Sequence, residues 1–117
     1  MIAPANPLRG LNSDSAKFHR QFAADVPGST ADLTAAAQRP IAASALDEKA
    51  TEEAWRTIPS WDLITTQDKN IPVAAQPFMA RRAHSHSVEI KASHAVSVSR
   101  PGAVTKLVEE ASAATVH

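Results

Sequence analysis

The stretch AWRTIPSWDLITTQDKNIP, residues 54–72, decides the fold together with SVEIKASHAVSVSRP, residues 87–101. Read in order, with the run between them, they give strand, polar turn, helix, strand, polar turn, helix. The run Ile58 to Thr66 is rich in β-branched residues, which predicts a strand of a sheet covered on both faces, ending just before Asp68. A second run, Val88 to Lys91, alternates apolar and polar residues and stops short of His94. In a parallel sheet both endings fall at the carboxyl edge, where open α/β folds hold their ligands. An acid and a histidine then share one edge. A carboxylate beside an imidazole fixes the tautomer and stabilises the imidazolium formed when the ring takes a proton from a nucleophile. The plainer reading of the same residues has Asp68 capping a helix at Pro72 and His94 in a loop.

At these residues the chain resembles the C-terminal part of an α/β-hydrolase, in the branch of small bacterial esterase-like proteins related to plant methylesterases and hydroxynitrile lyases. That family leads its penultimate strand into a triad acid through a pattern like T-x-D-x-x-I-P. Its last strand leads into the triad histidine through S-H-A-V followed by S-x-P. The matching residues are Thr66, Asp68, Ile71 and Pro72, then Ser93, His94, Ala95, Val96, Ser99 and Pro101. The order, acid before histidine, also fits the Ser, Asp, His order of the fold. The resemblance runs from Ser13 to about Ala111. It implies an α/β fold class: the C-terminal portion of an α/β-hydrolase fold, with a helical lid segment plus the last two parallel strands and their helices. It also implies Asp68 and His94 as catalytic acid and base, and no metal or other cofactor.

The nucleophile motif G-x-S-x-G needs two glycines around a serine, because the strained elbow tolerates no side chains there. The chain has only Gly10, Gly28 and Gly102, and no two bracket a serine. At 117 residues it fits one small domain, whereas a hydrolase of this branch needs roughly twice that length. The expectation is a truncated form, inactive alone, that takes a small-molecule ester only if an N-terminal half completes it. Ser93, Ser97 and Ser99 lie near His94 in sequence, but nothing there predicts the exposed, strained turn a nucleophile needs.

Lys plus Arg equals Asp plus Glu at 12 each, so no basic footprint points to nucleic acid or an anionic membrane. There is no cysteine, which excludes disulfides, thiolate metal sites and cysteine nucleophiles. The start MIAPANPLRG has no basic region before an apolar stretch, and no apolar run approaches a membrane span. A cytoplasmic protein is expected.

Three regions follow: an irregular arm at 1–12, a helical lid-like segment and connector at 13–54, and the α/β portion at 55–117. In the second, Ser13 or Asp14 caps a helix carrying Phe18 and Phe22, which Pro27 and Gly28 stop. Ser29 or Thr30 caps a helix from Ala31 to Gln38, and Pro40 opens a third to about Leu46. His19 is expected at a helix surface and Trp55 as a packing anchor. In the third region a helix is expected from Pro72 to about Ala83 along Ala75, Phe78, Met79 and Arg82, and another after Ser99 along Val104, Leu107, Val108 and Ala111.

Four residues depart from the family pattern where local physics has a preference. Asp62 puts a carboxylate inside a strand, and Pro77 falls inside an expected helix. His84 stands where glycine would take a left-handed cap, and Gly102 where an acid would complete a capping box with Ser99. Two other function classes stay open. His84, His86 and Glu89 cluster as in a metal site, though an exposed polar turn accounts for them as well. A non-enzymatic interaction module would use the open edge of an incomplete sheet, which also offers a place for self-association.

Overall fold

The computed structural model describes residues 10–116. Gly10–Leu11 forms a short strand, β1, paired antiparallel with β2, Ile41–Ala42. The approach is close enough to need glycine: a Cβ on Gly10 would lie 2.7 Å from Cβ of Pro40. The end of the expected arm is therefore tied down, and its first nine residues lie outside the described part. This pairing also corrects the third helix. Because residues 41 and 42 are drawn into the strand pair, the helix, α3, spans only Ala43–Asp47.

Between the two strands run α1, Ser15–Phe22, and α2, Gly28–Ala36. Asp14 caps α1 by accepting the Ala16 N–H at 2.9 Å, as the sequence predicts. For α2 the expected caps Ser29 and Thr30 lie inside the first turn. Pro27 holds the cap position instead, since its ring presets the backbone and its carbonyl accepts the Ala31 N–H at 2.9 Å. The two helices pack around Phe18, Ala23, Val26, Ala31 and Ala35, and Ala95 from the far end of the chain joins that cluster. His19 Nε2 donates to the Val26 carbonyl at 2.8 Å, so it braces the turn between the helices.

After a 3-10 turn at Ala54–Arg56, β3 spans Trp61–Thr65 and β4 spans His86–Ile90. They pair in parallel, with Trp61 opposite His86 and Thr65 opposite Ile90. The first strand starts later than its apolar run because Ile58 still bonds back to the Ala54 carbonyl and Pro59 has no N–H to give a ladder. The paired rings of Trp61 and His86 stack at 4.9 Å. Covering on both faces holds only at the end of β3: Ile64 and Thr65 are buried, Trp61, Asp62 and Leu63 are half-buried, and β4 is largely exposed. Asp62 is thus spared full burial.

The crossover helix α4, Ala75–Arg82, packs against both strands. It begins three residues after Pro72, and Pro77 then falls in its first turn, where a missing N–H costs no helix bond and the ring meets no preceding turn. Its buried side chains are Gln76 and Ala80, while Phe78 and Met79, expected inward, are 59% and 48% exposed. The helix ends in a Schellman motif: Ser85 N–H reaches the Ala80 carbonyl at 2.9 Å and His84 N–H the Arg81 carbonyl at 3.1 Å. His84 carries this with φ of 53°, the left-handed conformation the sequence pattern anticipates there.

A short helix α5, Val96–Ser99, precedes α6, Pro101–Thr115, which packs on β3. Ser99 does not cap α6. Its hydroxyl closes α5 on the Ala95 carbonyl, and Arg100 holds the cap position before Pro101. Along α6, Val104, Leu107 and Ala111 are half-buried, but Val108 is exposed.

The core is thin. Among the described buried apolar residues only Phe18, Val26 and Ile64 are larger than alanine. The radius of gyration is 16.7 Å, against about 13 Å for a compact domain of 100 residues. No helix among the described residues is long and apolar enough to cross a membrane.

Candidate active site

The parallel register carries on past the strands and so builds the site. Thr66 N–H donates to the Ile90 carbonyl at 2.9 Å, and Gln67 N–H to the Ala92 carbonyl at 3.1 Å. One residue further on the first strand and two on the second are Asp68 and His94. Their side chains meet: His94 Nδ1 lies 2.8 Å from Oδ2 of Asp68.

The carboxylate is fully engaged. Oδ1 accepts the N–H groups of Asn70 at 2.7 Å and Ile71 at 2.8 Å, which folds the turn into α4. Oδ2 accepts the Thr65 hydroxyl at 3.1 Å as well as the His94 ring. Asp68 is 7% exposed. Burial by itself raises its pKa, but the bonds from Ile71, His94, Asn70 and Thr65 outweigh that and hold the carboxyl below its ordinary value. Of the two alternatives in the sequence, Oδ2 fills the pairing role, whereas the helix-capping role is not filled: α4 starts at Ala75 behind Ala74 with no side-chain cap, and Oδ1 closes the turn at Asn70 and Ile71 instead.

With Nδ1 facing the acid, Nε2 is the ring atom left for chemistry. It has no hydrogen-bond partner among the described residues. The ring is about a quarter exposed and packs 4.6 Å from the Phe22 ring. His94 lines a cavity of about 290 Å³ with Phe22, Val26, Thr34, Ser97 and Val98. No described hydroxyl bonds the imidazole: Ser93 turns to Asp25, Ser99 to Ala95, and Thr34 to the Thr30 carbonyl.

Three supporting residues carry no motif in the sequence. Asp25, in the turn after α1, accepts both the N–H and the hydroxyl of Ser93. Gln76 binds the main chain of Thr65 from the outer edge of β3, its Oε1 accepting the N–H at 2.9 Å and its Nε2 donating to the carbonyl at 3.1 Å. Thr65 itself joins both networks. A polar residue at a helix position otherwise facing a sheet, as Gln76 is, was the one available signal. The histidine cluster separates: His84 ends α4, and His86 stacks on Trp61. Among the described residues no three His, Cys, Asp or Glu side chains are grouped to hold a metal. Trp55, expected as a packing anchor, lies outside the buried core: its ring is half-buried against the guanidinium groups of Arg56 at 4.6 Å and Arg82 at 5.5 Å.

A helical segment over the carboxyl edge of parallel strands, with acid and histidine at consecutive strand ends, has a counterpart among known families. The model of the alpha/beta hydrolase family matches residues 2–107, nearly the whole chain, and the chain belongs to that family. Neither the curated proteins nor the solved structures provide a match.

Proposed function

We propose that this chain supplies the acid and base of an ester-hydrolysing site of the small esterase-like branch, and that the nucleophile comes from polypeptide outside these 117 residues, joined to it or separate. Asp68 holds the His94 ring by Nδ1, and Nε2 takes the proton of an attacking hydroxyl. The observation that carries the reading is the 2.8 Å bond between His94 and an aspartate whose other oxygen is committed to the turn. Such a carboxylate is held in place and can hold the ring in turn. The chain alone then hydrolyses no ester above background, because neither an elbow serine nor a glycine-rich oxyanion loop is in its sequence.

The test is hydrolysis of an activated acetyl ester by the chain alone, and by the chain mixed with an N-terminal hydrolase half bearing G-x-S-x-G. The mixture is expected to turn over, and His94→Ala to lower its rate by about 10²–10⁴-fold, the usual worth of a positioned acid–base. Turnover by the chain alone that disappears in His94→Ala overturns the reading. A non-enzymatic interaction module is the second reading, favoured by the open edge of β3 and by exposed apolar side chains on α4 and β4, Phe78, Met79 and Val88. Tight association of the two halves without turnover selects it.

A further inference from the structure

We infer that Asp25 is a positioning residue for His94, acting through Ser93, so that the helical segment above the site and the proposed base are held as one body. The inference deepens the acid–base reading and rests on it. Asp25 sits in the turn between α1 and α2. Its Oδ2 accepts the Ser93 N–H at 3.1 Å and its Oδ1 accepts the Ser93 hydroxyl, so one carboxylate spans both donors of one residue. Ser93 is 2% exposed.

On the other side of His94, the Ala95 N–H donates to the Phe22 carbonyl at 2.9 Å and also reaches Ser93 Oγ at 3.2 Å. Both neighbours of His94 are thus tied to the same turn, residues 22–25. The ring is then fixed from two directions, by Asp68 at Nδ1 and by the Phe22 ring at 4.6 Å. Hydrogen bonds to a charged acceptor are about twice as strong as neutral ones. Asp25 is itself solvent-exposed. A surface carboxylate turned inward on a buried serine constrains the backbone that aims the imidazole. Alanines at 92 and 95, both buried, let the two segments approach.

The experiment reads the imidazole directly and needs no ester. In the full ¹⁵N-labelled chain, long-range ¹H–¹⁵N correlations report the tautomer of each histidine, with His94 assigned through His94→Gln. The wild type is expected to hold His94 as the Nδ1–H tautomer at a pH where the ring is neutral. In Asp25→Asn the His94 signal is expected to shift to the mixed-tautomer position of the exposed His84 and His86, its Nδ1–H exchanging faster with water. Asp25→Glu, which keeps the charge, restores part of the shift. Ser93→Ala keeps the N–H contact and removes the hydroxyl, so it gives an intermediate shift, and it decides the matter if Asp25→Asn fails to fold. A folded Asp25→Asn or Ser93→Ala whose His94 signal matches wild type overturns the inference. A wild type with Nε2–H instead overturns the Asp68–His94 pairing itself, and reconstitution without turnover leaves the clamp standing, so the two readings fail separately.

Discussion

Replacing Asp68 by asparagine keeps the shape of the side chain and removes its charge, so the cost follows from the bonds already described. Asparagine Oδ1 can still accept from Asn70 and Ile71, now as a neutral acceptor. The amide nitrogen replaces Oδ2 and faces the Thr65 hydroxyl and His94 Nδ1. The hydroxyl can rotate to accept from it. His94 must leave or switch to the tautomer that carries its proton on Nε2, which would end any role as a base there. Losing the charge from two retained bonds and the whole of the histidine bond comes to about 3 kcal/mol at neutral pH. With a urea m-value of about 1.5 kcal/mol per molar, the midpoint falls by about 2 M. The assay is urea unfolding followed by the fluorescence of Trp55 and Trp61 in an osmolyte-stabilised buffer, which strengthens a thin core. The pH dependence has a definite sign. The folded pKa of Asp68 lies below the ordinary 3.8, so its contribution is complete above that value and is lost as pH falls through the lower, folded one. The gap between wild type and Asp68→Asn is therefore wide at neutral pH and closes in acid. Equal stabilities at neutral pH, or a gap that widens in acid, would refute the network.

Three further outcomes are expected. His84→Gly relieves an exposed left-handed residue and raises stability by about 1 kcal/mol, seen as a higher midpoint in the same osmolyte-stabilised urea titration. Gln76→Ala strips the main chain of Thr65 of both side-chain partners and costs about 2–3 kcal/mol in the same urea titration. The wild-type chain alone, with alanine-dominated burial and a two-stranded sheet, melts over a broad range instead of cooperatively, as calorimetry of a dilute monomer would record.

The strands, their parallel pairing and the crossover helix were legible because each rests on local pattern: a β-branched run, an alternating run, and polar turns after both. Local pattern placed Asp68 and His94 at one edge but left a capping residue and a loop histidine as the plainer reading, and it was the resemblance that pointed to their pairing. The buried face of α4 was not. A 3.6 period through Phe78 and Met79 marks the apolar side of the helix, but what is buried is Gln76 and Ala80, because the described sheet has only two strands for the helix to lie on. The shift of the third helix depended on a pairing between residues 10 and 42, which no local pattern announces. Asp25 was invisible for the same reason, since its partner lies 68 residues away.

The Gln76 amide also sets how far the sheet can grow. The alternate residues of β3 that face away from β4 are Trp61, Leu63 and Thr65, and Gln76 already occupies the last of them. A strand laid along that edge finds partners at two residues and then none, so it must end or veer off beside Thr65. Two copies pairing antiparallel there, with each Trp61 opposite the other's Leu63, would set Asp62 against Asp62, and like charges directly opposed are unfavourable. Self-association in that register is thus opposed by charge. The same stop halts an added strand at Thr65, short of Asp68.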